Sequence, residues 1–237
     1  MENYVTLLGF GPEGWGDEVA SGVLVTVTLA LATLPIGLMI GLMIAIAKQS
    51  SQWSMRTAAD IYTTVFRGLP ELLTLFLVYY GLQIGLQKGL MALGIESPIE
   101  INSFAAGVAA LALVFSSYAS EVFLSAFRAI PQGQYEGGYA LGLRYPQVMR
   151  MVILPQLIRI ALPGLANLWM ILLKDTALVS AIGLADILRQ TGVAARNTKE
   201  SFLFFGLAFL LYLVLAVLSS IVISRIDQRS RRSERAR

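Results

Sequence analysis

Long apolar stretches, broken by short polar segments, dominate this chain of 237 residues. A helix that crosses a bilayer needs about 20 mostly apolar residues. Five stretches reach that length, at about residues 19–47, 61–86, 103–127, 160–183 and 202–226. The second is the least clean, because Arg67, Pro70 and Glu71 crowd its start. Pro70 marks a kink or a helix start there. Arg67 and Glu71 stand four residues apart, the spacing of neighbours on one helical face, and are expected to interact. In the first stretch Gly37 and Gly41 form a small-xxx-small pair, which favours close helix packing. The pattern predicts an all-α, polytopic membrane helix bundle of about five transmembrane helices.

Composition strengthens this reading. Hydrophobic residues make up 56% of the chain and charged residues only 14%, against roughly 25% charged in soluble domains. Cys and His are both absent. That excludes zinc sites built on thiolate or imidazole and Ser-His-Asp or Cys-His catalysis, so neither a metal site nor a catalytic residue is expected. No G-x-x-x-x-G-K-[ST] run occurs, and Gly never precedes Lys. The chain has no P-loop to hold a nucleotide.

Charge sets an expected orientation. Residues 1–20 hold no Lys or Arg, so they lack the positive start of a signal peptide. Six arginines lie in the last thirteen residues: Arg225, Arg229, Arg231, Arg232, Arg235 and Arg237. Such a tail could contact nucleic acid, but directly after an apolar span it reads as a cytoplasmic membrane flank. With the N-terminus outside, twelve Lys and Arg fall in inner segments and four in outer ones. The expected arrangement is a periplasmic N-terminus and a cytoplasmic C-terminus. Residues 1–227 then form the transmembrane domain, and 228–237 a basic cytoplasmic tail.

The longest internal segment outside the spans runs over about residues 128–159 and faces the cytoplasm by this count. It contains Pro131, Gly133, Glu136 and Gly142, then Val152-Ile153-Leu154-Pro155. Glu136 is expected near the start of a short helix, where a carboxylate suits the helix dipole. Gly142 permits a turn. From Pro146, Val148, Met149, Val152 and Ile153 fall at helical spacing. Two readings stay open on these residues alone: an amphipathic connector at the interface, or a helix presented to the groove of a cytoplasmic partner.

The segment resembles the EAA loop of bacterial ABC importer permeases. That pattern is E-A-A, three residues, G, nine residues, then I-x-L-P. Here it reads Glu136-Gly137-Gly138, three residues, Gly142, nine residues, then Val152-Ile153-Leu154-Pro155. Gly-Gly replaces Ala-Ala and Val152 replaces Ile. Each Ala-to-Gly change costs about 1 kcal/mol of helix propensity, so the helix is expected to start late or to depend on its partner for order. Arg67-Gly68-Leu69-Pro70 resembles the R-G-x-P motif of polar amino-acid permeases, and Lys174-Asp175-Thr176-Ala177-Leu178-Val179-Ser180 their K-D-T/S-x-L-V-S motif. The likeness extends over nearly the whole chain, and is to permeases for histidine, lysine, arginine, ornithine and the opines.

This resemblance implies a permease subunit of an ABC importer, multi-pass in the bacterial inner membrane, moving an amino acid or opine by alternating access. Its coupling residues would be Glu136, Gly137, Gly138, Gly142, Leu154 and Pro155. They would dock on a cytoplasmic ATPase dimer that uses ATP and Mg, with no cofactor bound by this chain. The further partners are a second permease subunit, more readily a homologous sister than a second copy, a periplasmic substrate-binding protein, the amino-acid substrate and the lipid bilayer. Nucleic acid is not among them.

Charged groups at membrane depth usually face a bundle interior or a cavity. Lys174 and Asp175 are the deepest, near the middle of the fourth stretch. Adjacent helical residues do not face one another, so each needs its own partner or a wet cavity. Asp175 could pair within the bundle or serve as the counter-charge for a cationic substrate. Lys174, Ser117, Tyr118 and Asn167 join it as candidates for the pathway. Tyr79, Tyr80, Ser116 and Trp169 could line it or act as interhelical contacts. Arg67, Pro70, Glu71 and Glu121 are expected to shape the structure. A secondary transporter or channel driven by an ion gradient is the alternative, and inverted repeats with broken helices would support it.

Overall fold

The computed structural model describes residues 4–92, 94 and 101–235. The described residues form helices in this order: α1 (Tyr4–Leu7), α2 (Gly16–Lys48), α3 (Trp53–Gly68), α4 (Glu71–Ala92), α5 (Ser103–Ala129), α6 (Gln132–Ala140) and α7 (Tyr145–Val148). A π-helical turn, Met149–Ile153, joins α7 to α8 (Leu154–Asp175). A 3-10 helix, Thr176–Ile182, follows, then α9 (Ile187–Thr198) and α10 (Ser201–Arg235).

Four helical runs are each long and apolar enough to cross a membrane: Gly16–Lys48, Ser103–Ala129, Tyr145–Ile182 and Ser201–Gln228. The second expected span is not one continuous helix. It is the pair α3 and α4, bent by 110° across Leu69 and Pro70. Proline disfavours the helical region for the residue before it, and Leu69 is extended at ψ 143°. The chain therefore turns at this dipeptide. The pair counts as a fifth span only if its two arms act together.

α5 is the central helix. Of its most apolar 18-residue window, 72% is buried, against 6% for α10. α2 packs along α5 at close range, because glycine fills the contact positions. A Cβ on Gly37 would stand 2.5 Å from Cδ1 of Phe115, and one on Gly41 would stand 2.9 Å from Cβ of Ala119 and 3.0 Å from the carbonyl oxygen of Ser116. Asn102 caps the start of α5, accepting from the backbone N–H of Phe104 at 2.8 Å and of Ala105 at 3.3 Å. Hydroxyls inside the bundle bond back to their own helix: Thr33 to the Leu29 carbonyl at 2.8 Å, Ser117 to Val114 at 2.7 Å and Ser120 to Ser117 at 2.7 Å. Buried polar side chains in an apolar slab need such partners.

Two departures from α geometry have local causes. Pro155 cannot donate to the carbonyl four residues back, and that carbonyl, of Met151, lies inside the wider π-turn over Met149–Ile153. At the other end of α8 the chain tightens to 3-10 geometry and stops at Gly183, whose φ of +91° suits glycine. α9 was not expected from the sequence. Asp186 caps it, and Ile187, Thr191, Ala194 and Ala195 are its buried face. The backbone of α10 stays helical past residue 227 as far as Arg235.

Candidate coupling segment and membrane cavity

The expected coupling residues lie on α6, at the turn that follows it and at the start of α8. α6 begins at Gln132, four residues before Glu136. The glycine pair therefore does not delay the helix. Glu136 stands in the middle of α6 rather than in its first turn, and it is exposed. Its charge is thus presented outward and does little for the helix dipole, which acts within the terminal turn. Gly142, at φ +76°, reverses the chain between α6 and α7. α7 starts at Tyr145 with Pro146 in its first turn.

Gly138 explains one of the two departures from the E-A-A pattern. It is buried, and a Cβ there would meet Cγ2 of Val148 at 2.8 Å. Val148 itself is fully buried. α6 and α7 thus approach too closely for alanine at position 138. Gly137 has nothing within 4 Å of a Cβ, so nothing in the packing requires glycine there. Leu154 and Pro155 open α8, with Leu154 packed against the main core and Pro155 exposed. Between α6 and the ends of α2 and α5 lies an open cavity of about 770 Å³, bordered by Tyr135, Tyr139, Tyr145 and Phe127.

An ion-pair network ties the same end of the bundle together. Lys48 Nζ lies 2.6 Å from Oε1 of Glu121 and 3.3 Å from Oδ1 of Asp60, and Arg67 Nη1 lies 3.5 Å from the same Glu121 oxygen. The Arg67 guanidinium also sits 5.6 Å from the centre of the Tyr118 ring. The expected Arg67–Glu71 pairing on one helical face is therefore corrected. α3 ends at Gly68 and α4 starts at Glu71, so the two residues are on different helices, and Arg67 turns to α5. Lys48 and Asp60 were not singled out in the sequence, because their partners lie on other helices.

Glu71 instead faces Asp175. Both line a small cavity of about 20 Å³ with Tyr118, Leu75, Phe115 and Leu172. Pro70 sets this up by starting α4 at the cavity edge. Of the expected pathway residues, Asp175 and Tyr118 border the cavity, while Lys174, Ser117 and Asn167 do not. Lys174 and Asn167 are exposed, and the buried Ser117 hydroxyl is held by α5 itself. Trp169 lines an apolar groove on another side of α8. Ser116 is bonded to the Tyr62 hydroxyl at 2.8 Å.

At the opposite end, Asp186 is fully buried. Its Oδ1 accepts from the Arg189 backbone N–H at 2.9 Å, and its Oδ2 is 3.5 Å from the Tyr212 hydroxyl. Burial pushes this carboxyl up to about 6, with the Arg189 N–H pulling the other way. Among the described residues no group of His, Cys, Asp or Glu could hold a metal ion.

Residues 37–232 match the family described as binding-protein-dependent transport system inner membrane component. The chain belongs to this family. The permease is 42% identical to the nopaline transport system permease protein of Agrobacterium fabrum, over 91% of this chain and 92% of the relative. It is 37% identical to the histidine/lysine/arginine/ornithine transport system permease protein of Salmonella typhimurium, over 91% and 94%. The crystal structure of an amino acid ABC transporter with histidines contains a chain of the same fold, with a TM-score of 0.75 and 34% identity over 91% of this permease and 95% of that chain. A methionine ABC transporter solved in inward-facing conformations shares the fold at 18% identity and a TM-score of 0.70. The permease is thus a multi-pass helical subunit of an ABC importer, and the ion-gradient alternative is set aside.

Proposed function

We propose that this permease carries a cationic amino acid, or an opine with a cationic group, across the bacterial inner membrane. The observation that carries the reading is the meeting of Glu71 and Asp175 at one cavity beside Tyr118. Two carboxyls brought together in an apolar bundle attract a cation. Relatives named for nopaline, octopine and the basic amino acids support that substrate class.

The cavity's size fits alternating access. About 20 Å³ holds roughly one water, so this conformation admits no amino acid. Admitting one requires α4 and α8 to separate around α5. The force for that comes from a separate ATPase dimer using ATP and Mg, docked on Glu136, Gly137, Gly138, Gly142, Leu154 and Pro155. The exposed Glu136 and the Gly142 turn suit such docking. A homologous sister permease completes the pathway, and a periplasmic binding protein delivers substrate to the outer face. The N-terminus then lies in the periplasm and the C-terminus in the cytoplasm, in line with the Lys and Arg distribution.

The test is reconstitution with ATPase, sister permease and binding protein. Asp175→Asn is expected to weaken uptake of cationic amino acids while assembly and basal ATP hydrolysis survive. Equal uptake by both proteins would remove Asp175 from the substrate path. Glu136→Lys is expected to uncouple hydrolysis from uptake, and unchanged coupling would place the docking elsewhere.

A further inference from the structure

A long apolar groove runs along the outside of the bundle where α2, α8 and α10 meet. Its walls include Leu31 and Leu38 of α2, Ile158 and Trp169 of α8, and Val222 and Ile226 of α10. The groove has a volume of about 540 Å³ and follows α8 from Ile158 to Leu173, about 22 Å at the helical rise. A hydrocarbon chain laid along α8 matches the length and the apolar lining of this groove. The length also exceeds one leaflet's share, about 15 Å, of the hydrocarbon core.

The two ends of the groove differ in charge. α8 and α10 run antiparallel here, so Ile158 and Ile226 lie at the same end, the one bearing α6 and α7. Arg159 is three residues before the groove residue Leu162, and Arg225 is three residues after Val222. Each arginine thus stands on the face of a groove residue, about one turn closer to the α6–α7 end. Arg159 is partly exposed, Arg225 is exposed, and neither is salt-bridged among the described residues. Asp227 follows two residues after Arg225, about 200° round the helix.

We propose that this groove is a binding site for an anionic phospholipid. One acyl chain lies between α2, α8 and α10, and the phosphate lies between Arg159 and Arg225 at the mouth. Charge selects the lipid class: no charged residue lines the groove, whose wall is apolar apart from Ser219, and Arg159 and Arg225 stand at the end where a headgroup would. The lipid would fill a gap that α10, the least buried span, leaves against α8. It would act as a wedge between that helix and the core.

Trp169 provides the readout, since its ring borders the groove. The full-length permease, carrying W15F and W53F, is placed in nanodiscs with brominated phosphatidylglycerol or brominated phosphatidylcholine. Brominated phosphatidylglycerol is expected to quench Trp169 at roughly thirtyfold lower mole fraction, since each arginine near an anionic headgroup contributes about fivefold. R159Q/R225Q is expected to abolish the difference, and R159K/R225K, a control for folding, to retain it. Ala166→Phe, which narrows the groove, is expected to reduce quenching by both lipids. Equal quenching by the two lipids, or a preference that persists in R159Q/R225Q, would overturn the proposal. So would an Ala166→Phe protein that quenches normally but no longer associates with other permease chains, because the groove would then be a protein interface.

Discussion

Lys48 and Glu121 join two spans through a 2.6 Å contact made 73 residues apart in sequence. The lysine side chain is only 8% exposed, and Glu121 is 33% exposed. Lys48 is the last residue of α2, so its charge also meets the dipole of its own helix favourably. The carboxylate is shared with Arg67. One anion thus holds α2, α3 and α5 at the end where α6 and α7 lie.

Lys48→Met is therefore expected to destabilise the permease by about 1–3 kcal/mol. That is less than the 3–5 kcal/mol typical of a fully buried pair, because Arg67 remains to compensate Glu121. Glu121→Gln should cost at least as much, since it weakens two cationic contacts together. Thermal unfolding of the singles and of the double variant in detergent gives the coupling. Additive losses would mean that the Lys48–Glu121 contact contributes nothing.

Glycines 137 and 138 should respond in opposite ways to alanine. Gly137→Ala meets no atom within 4 Å and should gain up to about 1 kcal/mol of helix propensity. Gly138→Ala pushes a methyl into Val148, and overpacking of that kind costs about 1–3 kcal/mol. Trimming the neighbour, as Gly138→Ala with Val148→Ala, should restore much of the loss. Substrate-stimulated ATP hydrolysis of the reconstituted complex, read beside thermal stability, separates the cases. If Gly138→Ala alone is silent in both assays, the α6–α7 contact is not needed.

Gly37 and Gly41 face α5 in different ways. The neighbour of Gly37 is the Phe115 ring, which can rotate away from an added methyl. Gly41 faces the Ala119 Cβ and the backbone at Ser116 and Ser120, which cannot move without shifting the helix. Gly41→Ala should therefore destabilise more than Gly37→Ala, by about 1 kcal/mol or more. The comparison is made by detergent melting of the two variants, and the reverse order would mean that the Phe115 ring is the more rigid partner.

Close packing of α2 was legible in the Gly37–Gly41 spacing, though not that α5 is the neighbour, and the apolar stretches placed four spans directly. The second span was harder. Pro70 signalled a break, but a 110° bend depends on what α4 packs against, and no local pattern carries that. The Arg67–Glu71 pairing failed for the same reason, because a spacing of four has meaning only within one continuous helix. α9 did leave a signal: Asp186 followed by Ile187, Thr191, Ala194 and Ala195 at helical spacing. Its charged residues made the stretch look like a loop. Glu71 was read as a shaping residue rather than as the neighbour of Asp175, since 104 residues separate the two in the chain.

Asp186 gives the pH dependence. Its carboxyl is raised from 3.8 to about 6 in the folded chain, so between those values the folded state holds a proton that the unfolded state has released. The stabilising contribution is complete below about 3.8 and is lost as pH rises to about 6. The loss is up to about 3 kcal/mol at neutral pH. Asn keeps an oxygen that can cap α9 without any charge to bury. Asp186→Asn is therefore expected to melt higher than the parent at pH 7.5, and to lose less stability than the parent between pH 4.5 and 7.5. Parallel melting curves over that range would show that Asp186 is charged at no cost, with Tyr212 and the α9 backbone solvating it fully.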